Sequence, residues 1–128
     1  MGGDGGEAWW LNDVGHVVGR ADVAGSATHH AFLWKHEHMK DLGTPHGNPC
    51  STAEGINSYD QVVGDSGECE VGGDPFLWEN GGPVVALSDF TLPGSDLTAT
   101  SATNITRTRR NPFILLASPT GFEPVLPP

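Results

Sequence analysis

Apolar residues in this chain come in short bursts. Val17-Val18, Ala31-Phe32-Leu33-Trp34, Val62-Val63, Phe76-Leu77-Trp78 and Val84-Val85 are each fenced by Gly, Pro, Asn or Asp. Bursts of this length, rich in β-branched and aromatic residues, predict strands joined by tight turns. The bursts also repeat. Leu11-Asn12 returns as Ile56-Asn57, His16-Val17-Val18-Gly19 as Gln61-Val62-Val63-Gly64, Ala31-Phe32-Leu33-Trp34 as Pro75-Phe76-Leu77-Trp78, and Asp41-Leu42 as Ala86-Leu87, at a period of about 45 residues. A shortened third copy follows, in which Ala102-Thr103-Asn104-Ile105 and Pro112-Phe113-Ile114-Leu115 match the second, without the Val-Val-Gly block between them.

Each full copy reads as four strands. In the second copy they cover Ala53 to Asn57, Gln61 to Asp65, Pro75 to Trp78 and Val84 to Leu87; in the first, the last strand is Met39 to Leu42. Asn12-Asp13-Val14-Gly15 and Asn57-Ser58-Tyr59-Asp60 supply turn chemistry between the first two strands, and His36-Glu37-His38 and Asn80-Gly81-Gly82 between the last two. The expected fold is all-β, with propeller-type four-stranded antiparallel units at about 7–50 and 51–98 and a shortened unit at 99–126. Leu33, Trp34, Phe76, Leu77, Trp78, Phe113 and Leu115 form the predicted core. About two and a half units cannot close a ring, and a repeat needs neighbours on both faces. Self-association, or membership of a longer chain, is therefore expected.

Composition agrees with strands and turns: the 128 residues include 18 Gly and 10 Pro, both poor in helix interiors. Charge removes some partners. The formal net charge is −10, from 16 acidic and 6 basic side chains, and Arg107, Arg109 and Arg110 make the only basic cluster. Nucleic acid and anionic membrane surfaces need the opposite balance. No apolar run is long enough to span a bilayer.

Catalytic signatures are absent. Gly64-Asp65-Ser66-Gly67 is not a nucleophile elbow, and no strand–Gly-rich loop–helix unit exists for phosphate. His36 and His38, spaced to share one side of an extended backbone, are candidate metal ligands, with His29, His30 and His46 nearby. The repeat, however, places His36 to His38 on a hairpin tip, where the second copy has no histidine. Asp22 with Gly25, and the run from Asp65 to Asp74, are candidate calcium loops without an EF-hand or nonapeptide pattern. The expected protein has no cofactor and is not an enzyme. Cys50 and Cys69 lack C-x-x-C spacing; they either pair as a disulfide or remain two loop thiols. Trp9-Trp10 is not repeated, and one ring of an adjacent pair on a strand faces away from the other. An exposed Trp there suits a sugar or an interface.

The blocks Leu11 to Gly19, His30-Ala31-Phe32-Leu33-Trp34 and Met39 to Thr44 resemble the HAF-repeat family, which is named for the His-Ala-Phe triplet seen at His30-Ala31-Phe32. The likeness covers roughly residues 7 to 118; the second unit departs from it at Asp74-Pro75-Phe76, and the third lacks its second strand. It implies a propeller-like fold and an extracellular bacterial setting, with the export signal outside this chain. It implies no common activity and no catalytic residues. The expected role is structural self-assembly or protein–protein contact, with a carbohydrate-binding oligomeric propeller as the alternative.

Overall fold

A computed structural model describes residues 1–90. They form two four-stranded antiparallel sheets and no α-helix. The first sheet is a meander of β1 (Gly2–Leu11), β2 (Val17–Val23), β3 (His29–Lys35) and β4 (His38–Gly43). The second repeats it with β5 (Cys50–Ile56), β6 (Val62–Glu68), β7 (Gly72–Trp78) and the short β8 (Val85–Ala86). A 3-10 turn at Pro45–Gly47 links the sheets, and another, Leu87–Phe90, follows β8. The all-β, four-strand repeat matches the expectation. The first strand begins earlier than expected, at Gly2 instead of residue 7: the glycine-rich lead pairs with β2 despite its weak strand propensity.

The repeated Asn is a turn device. The Asn12 side-chain oxygen accepts from the backbone N–H groups of Val14 and His16, and Asn57 does the same for Tyr59 and Gln61. Each side chain thereby satisfies the donors of a chain reversal. The repeated Gly is a clearance device. In both sheets the first strand carries a bulge, with Trp9 extra between Ala8 and Trp10, and Glu54 extra between Ala53 and Gly55. Gly19 and Gly64 sit opposite the residue preceding each bulge, where the backbone of the neighbouring strand fills the space a Cβ would need.

Directly paired residues share a face, so the register defines two faces per sheet. In the first sheet, face A carries the row Leu11, Val17, Trp34, Met39, and face B the row Trp10, Val18, Leu33, Lys40. In the second sheet, face A carries Ile56, Val62 and Trp78 together with Ala53, Gly64 and Phe76. The core forms where face B of the first sheet meets face A of the second. Val18, Ala31 and Leu33 pack there against Ala53, Ile56, Val62, Phe76 and Trp78. A bulge in β4 between Gly43 and Asp41 adds Leu42 to the same cluster.

The predicted core is right for Leu33, Phe76, Leu77 and Trp78, all buried. It is wrong for Trp34, which is 39% exposed although its counterpart Trp78 is 2% exposed. The reason is directional stacking: Trp34 lies on the face of the first sheet that turns away from the second, whereas Trp78 lies on the face that the first sheet covers. Phe113 and Leu115 lie outside the described residues.

Two substitutions test this packing. Phe76→Ala removes a fully buried ring from the inter-sheet core and is expected to cost about 3–5 kcal/mol in urea unfolding. Gly64→Ala drives a methyl into the Thr52 carbonyl and the Phe76 ring, and is expected to cost about 3 kcal/mol in the same measurement.

Candidate functional site

Two surfaces stand out: a polar cleft at the junction of the units and an exposed apolar strip on the opposite face of the first sheet. The cleft, of about 250 Å³, lies between the first strands of the two sheets. The repeat itself builds it. The bulge residues Trp9 and Glu54 both line it, and so do Arg20 and Asp65, which occupy equivalent positions on β2 and β6. His29, at the start of β3, and Cys50, at the start of β5, complete its inner wall.

Burial, reinforced by the Asp65 carboxylate, raises the Glu54 carboxyl above its ordinary range, with Arg20 opposing. Burial also raises Asp65, against the pull of His29 and Arg20. Burial, with the Arg20 charge beside it, lowers His29. Arg20 donates through Nε to Glu7 at 3.0 Å and lies 3.9 Å from Glu70. The cleft thus gathers planar polar groups of both signs under a half-exposed indole, Trp9. Such a lining hydrogen-bonds and stacks on a polar ligand.

Beside the cleft, Cys50 and Cys69 form a disulfide, tying the start of β5 to the turn after β6. The pairing alternative left open by the sequence is the one present. His29 sits against it: its backbone N–H points at Cys50 Sγ, 3.3 Å away, and its Nδ1 is 3.5 Å from the same sulfur.

At the far end of the junction, the turns of the two units interlock. Asn12 donates to the Asn57 carbonyl at 3.0 Å and to Asp60 at 2.9 Å. His16 donates through Nδ1 to Asp60 at 2.6 Å, and Lys35 reaches the other carboxylate oxygen at 3.3 Å. Burial alone would raise Asp60, but the hydrogen bonds from His16 and Lys35, with their charges, outweigh it and hold the carboxyl below its ordinary value. A His–Asp pair supplies two of the three members of a hydrolase triad, yet the ring neighbour of His16 is His36, edge-on with centroids 5.4 Å apart.

The other candidates separate. His36 and His38 are exposed, and His36 and Glu37 adopt φ of 50° and 64° as the two-residue hairpin tip between β3 and β4. His36 thus lies on the hairpin tip that the repeat predicted, and no extended backbone aligns the two rings. Asp22, Gly25 and Asp65 to Asp74 do not converge either: among the described residues, the group whose His, Cys or carboxylate ligand atoms come together is His29, Cys50 and Cys69. Sequence reasoning missed that trio because its members stand on three different segments. It also missed the cleft, although the repeat period already pairs Trp9 with Glu54 and Arg20 with Asp65.

The exposed apolar surface is one end of face A of the first sheet; Phe32, further along the same face, is buried. Leu11 is 62% exposed, Trp34 39% and Met39 48%, whereas Ile56, Val62 and Trp78 on the equivalent face of the second sheet are 5%, 0% and 2% exposed. These features define an all-β protein with repeat-like four-stranded sheets, in which face B of the first sheet packs on face A of the second and Leu11, Trp34 and Met39 are exposed. No protein-family model, no curated protein and no solved structure matches the chain.

Two charge substitutions check the electrostatics. Asp60→Asn keeps a residue suited to the positive φ of 59° at this position but removes the buried anion. It is expected to lower stability at pH 7 by about 1–3 kcal/mol. Because the folded carboxyl titrates below the unfolded one, its contribution is present above about pH 4 and lost as pH falls through the lower folded value, so the gap to wild type should close in acid. Glu54→Gln has the opposite sign. A carboxyl with a raised folded value weakens the fold as pH rises through it, so the amide is expected to add about 0.5 kcal/mol at pH 7, read from the urea midpoint.

Proposed function

We propose that this chain is a non-enzymatic extracellular repeat module for self-assembly or protein–protein contact, with units that stack like propeller blades. The observation that carries the reading is the open row of Leu11, Val17, Trp34 and Met39. It repeats the row that the second sheet buries against the first. The matching open row of another chain can cover it, since the face B residues Leu33, Val63 and Leu77 are already buried. Covering large apolar side chains of this sort stabilises by about 2 kcal/mol each. The partner is a second copy of the chain. The Cys50–Cys69 bridge suits an oxidising compartment, and the likeness to HAF repeats points the same way.

The polar cleft favours a second reading, carbohydrate binding between units. A Trp on a bulge beside carboxylates and a guanidinium is the lining that stacks on a sugar ring and bonds its hydroxyls. Titration with a sugar panel should then change tryptophan fluorescence, and Trp9→Ala should abolish the change.

The self-assembly reading is tested by sedimentation equilibrium on the full chain. The wild type is expected to exceed the mass of a single chain. The double variant Trp34→Lys, Met39→Glu is expected to run as one chain with its unfolding midpoint within about 0.5 kcal/mol of wild type. A wild type that stays a single chain at micromolar concentration refutes the proposal.

A further inference from the structure

We propose that reduction of the Cys50–Cys69 bridge converts the inner wall of the cleft into a zinc(II) site, with Cys50, Cys69 and His29 as its protein ligands. Their ligand atoms all lie within 4.8 Å of one another. They come from three places that the fold holds together: the first residue of β3, the first residue of β5 and the turn between β6 and β7. Zinc takes thiolate at about 2.3 Å and imidazole at about 2.0–2.1 Å, so a sulfur and a nitrogen on one tetrahedral ion stand about 3.6 Å apart. Cys50 Sγ and His29 Nδ1 are already 3.5 Å apart. The Cα atoms of the two cysteines are 5.1 Å apart, close enough for both thiolates to reach one ion by side-chain rotation. His29 and Cys50 also line the cleft, which gives a fourth coordination position access to solvent.

The chemistry balances with a thiol reductant. Two reductant thiols deliver two electrons and two protons to the S–S bond, leaving two cysteine thiols and the reductant's own disulfide. Zinc then displaces both thiol protons to solvent as it binds the thiolates. Zinc is preferred because it accepts thiolate and imidazole together and does not itself oxidise thiols. The bridge and the metal are mutually exclusive, so the site reports the redox state of the compartment. This inference is independent of the assembly and sugar readings.

The test uses the full chain, reduced and freed of reductant under anaerobic conditions, and titrated with cobalt(II) as a spectroscopic substitute for zinc. The reduced chain is expected to bind one equivalent with tetrahedral visible bands and thiolate-to-cobalt charge transfer, to release it to zinc, and to keep its β-sheet circular dichroism. The oxidised chain should show neither band. His29→Ala is expected to weaken binding by about tenfold or more. His30→Ala, next in sequence but bonded to Asp41 on the other face, should leave binding unchanged. The proposal is overturned if the reduced chain binds no cobalt, if it binds without charge transfer, if His29→Ala keeps wild-type affinity, or if the reduced chain loses its sheet signal.

Discussion

Everything described here depends on one contact, the packing of face B of the first sheet against face A of the second. A four-stranded meander has two faces, and it buries one only by meeting another sheet. Val18 and Leu33 on one side, and Val62, Phe76 and Trp78 on the other, close that contact with little exposed surface left. The contact is heterologous: the two units present different faces to each other. Stacking of this kind uses the two faces of a sheet differently: the row of Leu11, Trp34 and Met39 on face A of the first sheet stays exposed, whereas Val63 and Leu77 on face B of the second are buried.

The polar features sit at the two ends of the same junction. At one end, Asn12, Asn57 and Asp60 lock the turns of successive units together, so an element that shapes each hairpin also sets the spacing between hairpins. At the other, the strand bulges aim Trp9 and Glu54 into a shared cleft. The bulges and the glycines that face them are one device. The bulge redirects a side chain, and the glycine lets the neighbouring strand come close enough to keep the ladder. Glu54 and Asp65 are held near each other with their carboxyls raised by burial. That arrangement works against stability.

The proposed assembly and the proposed ligand binding draw on different surfaces. The open face is apolar and belongs to one unit; the cleft is polar and belongs to two. The disulfide lies beside the cleft, bracing β5 against the turn after β6, and His29 links that brace to the first sheet. The redox change proposed at the bridge would act on the cleft wall.

Much of the fold was legible in the chain. Short apolar bursts and Asn-, Gly- and Asp-rich turns specify strands locally, and their repetition specified that the second sheet copies the first. The glycine-rich start of β1 was not legible, since pairing with β2 outweighed weak propensity there. The core was legible only in part. Trp34 and Trp78 hold the same place in their units, and no local pattern separates them; burial belongs to whatever lies above a residue, and the first sheet lies above Trp78 alone. The cleft was latent in the repeat period, because equivalent residues of stacked units converge. The trio of His29, Cys50 and Cys69 had no sequence signal, since its members meet through strand pairing and sheet stacking. By itself, then, the sequence determined the strands, the turns and the repeat, which depend on local backbone and side-chain preference. The tertiary structure alone decided which faces meet, which Trp is buried and which distant ligands converge, because those are properties of neighbours brought together by the packing of two sheets.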